Sequence, residues 1–197
     1  MFARSALIGV ASLLLPLAAT AQHGDGGAAP PVAAPREASQ FDFLIGEWNL
    51  DVRPQVSSIA ALVHGVPKLK GTWKAARAFD GFGIQDELRI TESNGTARSL
   101  SQCMRVYDAS AQRWSQTTLD VYRARFIAGT ATWSNGVMTA TAPGKDADGK
   151  AVVGRARFSD ISPKGFKFTQ DRSYDGGTTW KDPTLLITAR RSGGATK

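Results

Sequence analysis

From Lys68 onward, apolar and polar side chains alternate with a period of two. That is the repeat of a strand with one face to a core and the other to water. In the stretch 68–79, one face reads Lys68, Lys70, Thr72 and Lys74, and the other Leu69, Gly71, Trp73, Ala75, Arg77 and Phe79. Asp80-Gly81-Phe82-Gly83 supplies a turn. The next strand turns Ile84, Asp86, Leu88 and Ile90 to one side and Gln85, Glu87 and Arg89 to the other. Asn94-Gly95 and Asn135-Gly136 are hairpin signals, because Asn and Gly accept the positive φ of a two-residue turn. Asp148-Gly149 and Pro163-Lys164-Gly165 mark further turns. Between them the pattern predicts strands near 98–107, 113–121, 123–133, 137–142, 152–160, 166–173 and 183–190. A meander of about nine or ten antiparallel strands either exposes its edges or closes on itself, and closure removes the edges. The expected fold is therefore all-β: a closed antiparallel up-and-down barrel over 40–191, with 192–197 as a flexible tail.

Two segments depart from the rhythm. Gln55–Val66 places Val56, Ile59, Ala60 and Val63 on one helical face between Pro54 and Pro67, which predicts a short helix across one end of the barrel. His64 falls at its end and is expected to be an exposed loop residue. Phe41–Leu50 is strongly apolar and carries Gly46-Glu47-Trp48. It is expected to be the strand that begins and corks the barrel.

Ahead of the barrel, Arg4, an apolar run over Ala6–Ala18 and the small residues Ala19-Thr20-Ala21 have the layout of a cleaved signal peptide over 1–21. A membrane-spanning helix needs roughly 20 apolar residues, and this run is shorter. Residues 22–39 are rich in Gly, Ala and Pro, too poor in apolar surface to offset chain entropy, and are expected to be a disordered linker. The expected location is the periplasm or the exterior, with the mature protein not spanning a membrane.

Charge and cysteine content narrow the picture further. The chain carries a net charge of +7, dispersed along strand positions rather than in a block. That favours solubility, or a basic surface for envelope polymers, over nucleic-acid binding. Cys103 is the only cysteine, so no intrachain disulfide forms; it is expected to be a buried structural thiol. No metal-ligand spacing, phosphate loop or nucleophile elbow occurs, so neither metal nor cofactor is expected.

The candidate chemistry lies in the first long hairpin. If Phe79 pairs with Ile84, Arg77 faces Asp86 across the strands, on the inward face with Trp73 and Leu88. A buried charged pair costs desolvation, so it serves either as a structural plug or to orient a polar ligand group. Trp114, Tyr122 and Trp133 are further candidates to line a cavity. The ligand-binding candidates are thus Trp73, Arg77, Asp86, Leu88, Trp114 and Tyr122. On the strand near 98–107, the Leu100, Gln102, Met104 and Val106 face is expected inside, with an Arg105 and Tyr107 face as the alternative. Ser173–Trp180 has the Ser-x-Asp-x-Gly-x-Thr-Trp form of an Asp-box, read as a structural hairpin built on Asp175, Gly177 and Trp180.

The segments Phe41–Trp48, Arg105–Asp108, Arg113-Trp114 and Ser173–Trp180 resemble a widespread bacterial domain-of-unknown-function family. Its members look like exported calycin-like, lipocalin-related barrels. That resemblance implies a barrel and no particular activity. Gly46 and Trp48 resemble the lipocalin Gly-x-Trp motif, which implies a structural Trp48 packed under an Arg of the last strand, Arg190 or Arg191. The opening motif also resembles haem-binding nitrobindin-like barrels. Those hold iron through a His on a late strand, and no His follows His64 here, so that role does not carry over.

These features lead first to a module that binds a small, largely apolar ligand inside the barrel. The competing readings are an enzyme using an interior Arg/Asp pair as base and electrostatic stabiliser, and an envelope interaction protein working through its basic surface.

Overall fold

The computed structural model describes residues 32–56, 62, 65–146, 148–181 and 183–193. The signal-peptide segment, most of the linker, most of the expected Gln55–Val66 helix with His64, and the end of the tail lie outside them. The fold is that of the unit Ala33–Lys197.

Ten antiparallel strands run in sequence as β1 (Gly46–Pro54), β2 (Leu69–Ala78), β3 (Gly83–Glu92), β4 (Ala97–Asp108), β5 (Arg113–Asp120), β6 (Arg125–Ser134), β7 (Val137–Lys145), β8 (Ala151–Ser162), β9 (Gly165–Ser173) and β10 (Leu185–Arg191). Each pairs with its chain neighbours, and β10 returns to β1, so the barrel is closed. The Asn135-Gly136 turn joins β6 to β7 with both residues at positive φ, as a tight two-residue hairpin requires.

The barrel begins differently from the expectation. Arg36–Leu44 is a nine-residue 3-10 helix, and strand structure starts only at Gly46. Its buried residues are Ala38, Phe41 and Leu44. That spacing of three matches the three residues per turn of a 3-10 helix, which puts all three on one face. The ordered domain therefore starts inside the stretch read as linker, with Ala38 only 3% exposed.

This helix closes one end of the barrel. Phe41 meets Trp114 edge-on at 4.8 Å, and Phe43 lies 5.5 Å from Phe158 and 5.8 Å from Phe166. Trp48 packs on Phe166 at 5.0 Å and donates its indole N–H to the Leu44 carbonyl at 2.7 Å. Aromatic side chains therefore fill the closed half. The opposite end carries the β1–β2, β3–β4, β5–β6, β7–β8 and β9–β10 connections.

Candidate functional site

Inward-facing residues of the open half change character around the circumference. On β7 and β8 they are small, Ala140, Ala142, Gly154 and Ala156, while on β6 Gly129 is followed toward the mouth by Ile127 and Arg125. A Cβ on Gly129 would meet the Thr141 carbonyl at 2.5 Å, so that position admits no side chain. With one wall reduced to Gly and Ala, the aromatics of the closed half do not reach across. A cavity of about 350 Å³ remains. Its apolar lining includes Trp73, Leu88, Ile90, Ile127, Phe158 and Phe168.

The polar lining is set by strand register. Ile84, Arg105, Gln116 and Gly129 stand opposite one another along β3 to β6. One rung toward the mouth come Asp86, Cys103, Thr118 and Ile127; the next holds Leu88, Ser101, Asp120 and Arg125. Directly paired residues share a face, so the inward position of Ile84 forces Arg105 inward too. Arg105 and Asp86 are 6% and 4% exposed, and they form a buried ion pair between Arg105 Nη1 and Asp86 Oδ2. Asp86 Oδ1 accepts the Trp73 indole N–H at 2.7 Å. Arg105 Nε donates to Gln116 Oε1 at 3.3 Å, and the guanidinium lies 5.0 Å from the Phe41 ring. Burial lowers the Arg105 pKa to about 9, so the side chain stays cationic at neutral pH. Burial also raises the Cys103 thiol to about 11, partly opposed by the hydrogen bond from Thr118 Oγ1 at 3.2 Å. Cys103 is buried, and its thiol is un-ionised at neutral pH.

Three of the six ligand-binding candidates line this cavity: Trp73, Asp86 and Leu88. The other three stand elsewhere. Arg77 pairs with Ile84, while the partner of Asp86 is Ala75. The turn takes Phe79–Gly81 into a 3-10 turn, with Phe79 and Asp80 at positive φ. The register thus differs by two residues from the expected Arg77–Asp86 pairing. A two-residue shift keeps every side chain on its face but moves Arg77 one rung toward the closed end. There it donates to the Ala38 carbonyl at 2.8 Å and pairs with Asp42, clamping the 3-10 helix. Trp114 is fully buried in the closed end and donates to Gln40 Oε1 at 3.0 Å. Tyr122 is 50% exposed on the Val121–Arg123 turn between β5 and β6. Trp133 also sits at the closed end, 6.1 Å from Phe43.

The inward face of β4 is the reverse of the apolar-face expectation. Ser99, Ser101, Cys103, Arg105 and Tyr107 alternate inward, while Met104 and Val106 are 48% and 38% exposed outside. The signal lay in the turn rather than in hydrophobicity. Counting rungs back from a two-residue Asn94-Gly95 turn places Cys103 opposite Asp86, the observed pair, but the loop reaches that register by pairing Thr91 with Ala97 and a bulge between Ile90 and Thr91.

The structural residues also fall into place. The cation over the Trp48 ring is Arg191, with its guanidinium carbon 4.1 Å from the centroid; Arg190 faces outward opposite Asn49. Arg191 further donates to the carbonyls of Ile45 at 3.2 Å and Pro163 at 2.9 Å. Gly46 has φ +117°, and a Cβ there would stand 2.5 Å from Arg191 Nη1. In the Asp-box hairpin, Asp175 accepts from Ser173 Oγ at 2.6 Å and from the Thr179 amide and hydroxyl at 2.9 and 2.6 Å. Gly177 takes φ +99° against the Trp180 ring. Trp180 does not reach the core. It stacks on Arg155 at 3.8 Å on the outer wall, and Arg155 holds the buried Asp171 through bonds of 3.0 and 2.7 Å.

A larger open groove of about 990 Å³ runs along the outer wall past Asn49, Arg53, Lys68 and Lys70. Those polar residues are exposed and hold no buried charge, so the interior cavity is the stronger candidate. Among the described residues no group of His, Cys, Asp or Glu is arranged to hold a metal ion, and no helix is long and apolar enough to cross a membrane.

No protein-family model and no curated protein matches the chain. Among solved structures it is similar to the crystal structure of Rv2717c from M. tuberculosis, with 11% sequence identity and a TM-score of 0.47 over 82% of this chain and 100% of that one, a likeness too remote to carry function across.

Proposed function

We propose that this chain is an exported calycin-like barrel that binds a small molecule with a largely apolar body in its interior cavity. The observation that supports it is the cavity itself: about 350 Å³, within the size range of small-molecule sites, with Trp73, Leu88, Ile90, Phe158 and Phe168 on its walls and a few polar groups at fixed positions. Apolar area with a small number of convergent polar groups is the usual make-up of such sites. Binding is favoured over acid–base catalysis because both Asp86 oxygens are already occupied, by Trp73 and Arg105. Each oxygen of that carboxylate is thus already engaged by a wall residue, with one further acceptor site left on each. Export rests on the 1–21 leader pattern.

The test is titration with N-phenyl-1-naphthylamine, a neutral apolar fluorophore. Wild type should enhance its emission with saturable 1:1 behaviour. Ala142→Phe, which fills the cavity from the small-residue wall, should abolish the response while leaving the fold intact by circular dichroism. Equal responses from the two proteins would place the probe outside the barrel and sink the reading.

A further inference from the structure

We infer that the ligand of the interior cavity is a small monocarboxylate, its carboxylate seated against Arg105 and Gln116 and its hydrocarbon part running toward the mouth. This rests on the proposed binding function and names its ligand class.

At the base of the cavity, around Arg105 and Gln116, donors outnumber free acceptors. Asp86 spends Oδ1 on Trp73 and Oδ2 on Arg105. Arg105 spends only Nη1 and Nε, on Asp86 and Gln116. Its Nη2 makes no hydrogen bond among the described residues, although the side chain is 93% buried. Gln116 accepts from Arg105 through Oε1, which leaves its amide nitrogen as a donor; that nitrogen lies on the side of Gly129, where there is no side chain to cover it. Ser99 and Ser101 add hydroxyls nearer the mouth. An unpartnered guanidinium nitrogen that meets the cavity, together with an unpartnered amide donor on the neighbouring strand, suits an acceptor group, and a carboxylate supplies two acceptor oxygens.

The charged residues that line the cavity are Asp86, Asp120, Arg105, Arg125 and Arg155, and Arg155 is held by Asp171 on the outer wall. The rungs above Arg105 and Gln116 carry Ile127, Leu88 and Ile90 beside Thr118, Ser101 and the Asp120–Arg125 pair, so apolar side chains flank polar ones toward the open end. The modest volume restricts the ligand to a short chain or a single ring.

Isothermal titration with octanoate, 1-octanol and octylamine decides the matter. Wild type should bind octanoate at least ten-fold more tightly than octanol, with octylamine weakest. Gln116→Leu, which leaves the Arg105–Asp86 ion pair in place but removes the acceptor of Arg105 Nε, should weaken octanoate several-fold and leave octanol unchanged. The Arg105→Met/Asp86→Leu pair should make octanoate and octanol equal. Octanol binding as tightly as octanoate in wild type, with Ala142→Phe blocking both, would overturn the carboxylate assignment and leave the cavity-binding reading standing. Binding of none of the three would overturn both.

Discussion

Arg105 reaches diagonally across the β3–β4 ladder to Asp86, whose direct partner on that strand is Cys103. The two charges meet at the boundary between the aromatic plug and the cavity, with Phe41 behind the guanidinium and Trp73 on the far carboxylate oxygen. Removing one partner of a buried pair leaves an uncompensated charge, whereas replacing both by apolar groups can be neutral. Arg105→Met should therefore cost about 3–5 kcal/mol in urea unfolding. The Arg105→Met/Asp86→Leu double variant should recover most of that loss. A double variant no more stable than the single one would count against the pair as the source of the cost.

Gly46 and Arg191 depend on one another at the closed end. The backbone at Gly46 has positive φ, and the Arg191 guanidinium occupies the space a Cβ would take. Gly46→Ala should lose about 1 kcal/mol or more from backbone strain alone, and further stability by displacing Arg191 from Trp48. Arg191→Ala should lose the cation–π contact, about 0.5–2 kcal/mol, together with its two carbonyl bonds. Arg190→Ala should be nearly silent. Thermal melts of the three variants distinguish these contributions.

Cys103 should be a slow thiol. Burial raises it from an ordinary 9.0 to about 11, which lowers the thiolate fraction at pH 8 by about 100-fold, because each pKa unit is a factor of ten. Disulfide reagents attack thiolates, so the native protein should react at least that much more slowly than the urea-unfolded chain. A native rate close to the unfolded rate would show that the cavity admits the reagent and that the thiol is not suppressed.

Asp175 sets the acid response of the β9–β10 hairpin. Hydrogen bonds from Ser173 first, then Thr179, hold its carboxyl well below the ordinary value of 3.8. A folded-state pKa below the unfolded one gives stability that is present above the unfolded value and fades as pH falls through the folded one. Asp175→Asn should therefore be less stable than wild type by a constant margin from pH 7 to about pH 5. The margin should shrink only below the ordinary carboxylate range. A margin that changes between pH 7 and pH 6 would point to a different group.

Much of this was legible in the alternation and the turns. The strand spans, the Asn135-Gly136 hairpin, the inward face of β2 and β3, and the Asp-box followed from residue type and spacing, because these are local properties of the backbone. The plug was harder to read. Phe41, Phe43, Trp48 and Ile45 suit a strand by composition, and only the three-residue spacing of Ala38, Phe41 and Leu44 marks a 3-10 turn. Arg105 was masked by a hydrophobicity argument: Met104 and Val106 promised an inward face, yet pairing with β3 turned them out.

The sequence by itself determined an all-β meander, its turn positions and which residues alternate together. It could not determine which set of alternating residues faced inward on β4, or how far Arg77 would slip past Asp86. Those outcomes depend on strand pairing, and a hairpin can shift by two residues without exposing any apolar side chain. Tertiary closure decided them. Once β10 met β1, the small residues of β7 and β8 and the aromatic Trp73, Phe158 and Phe168 came to line one interior. The space left between them, and the one charged pair at its base, exist only because ten registers had to close together.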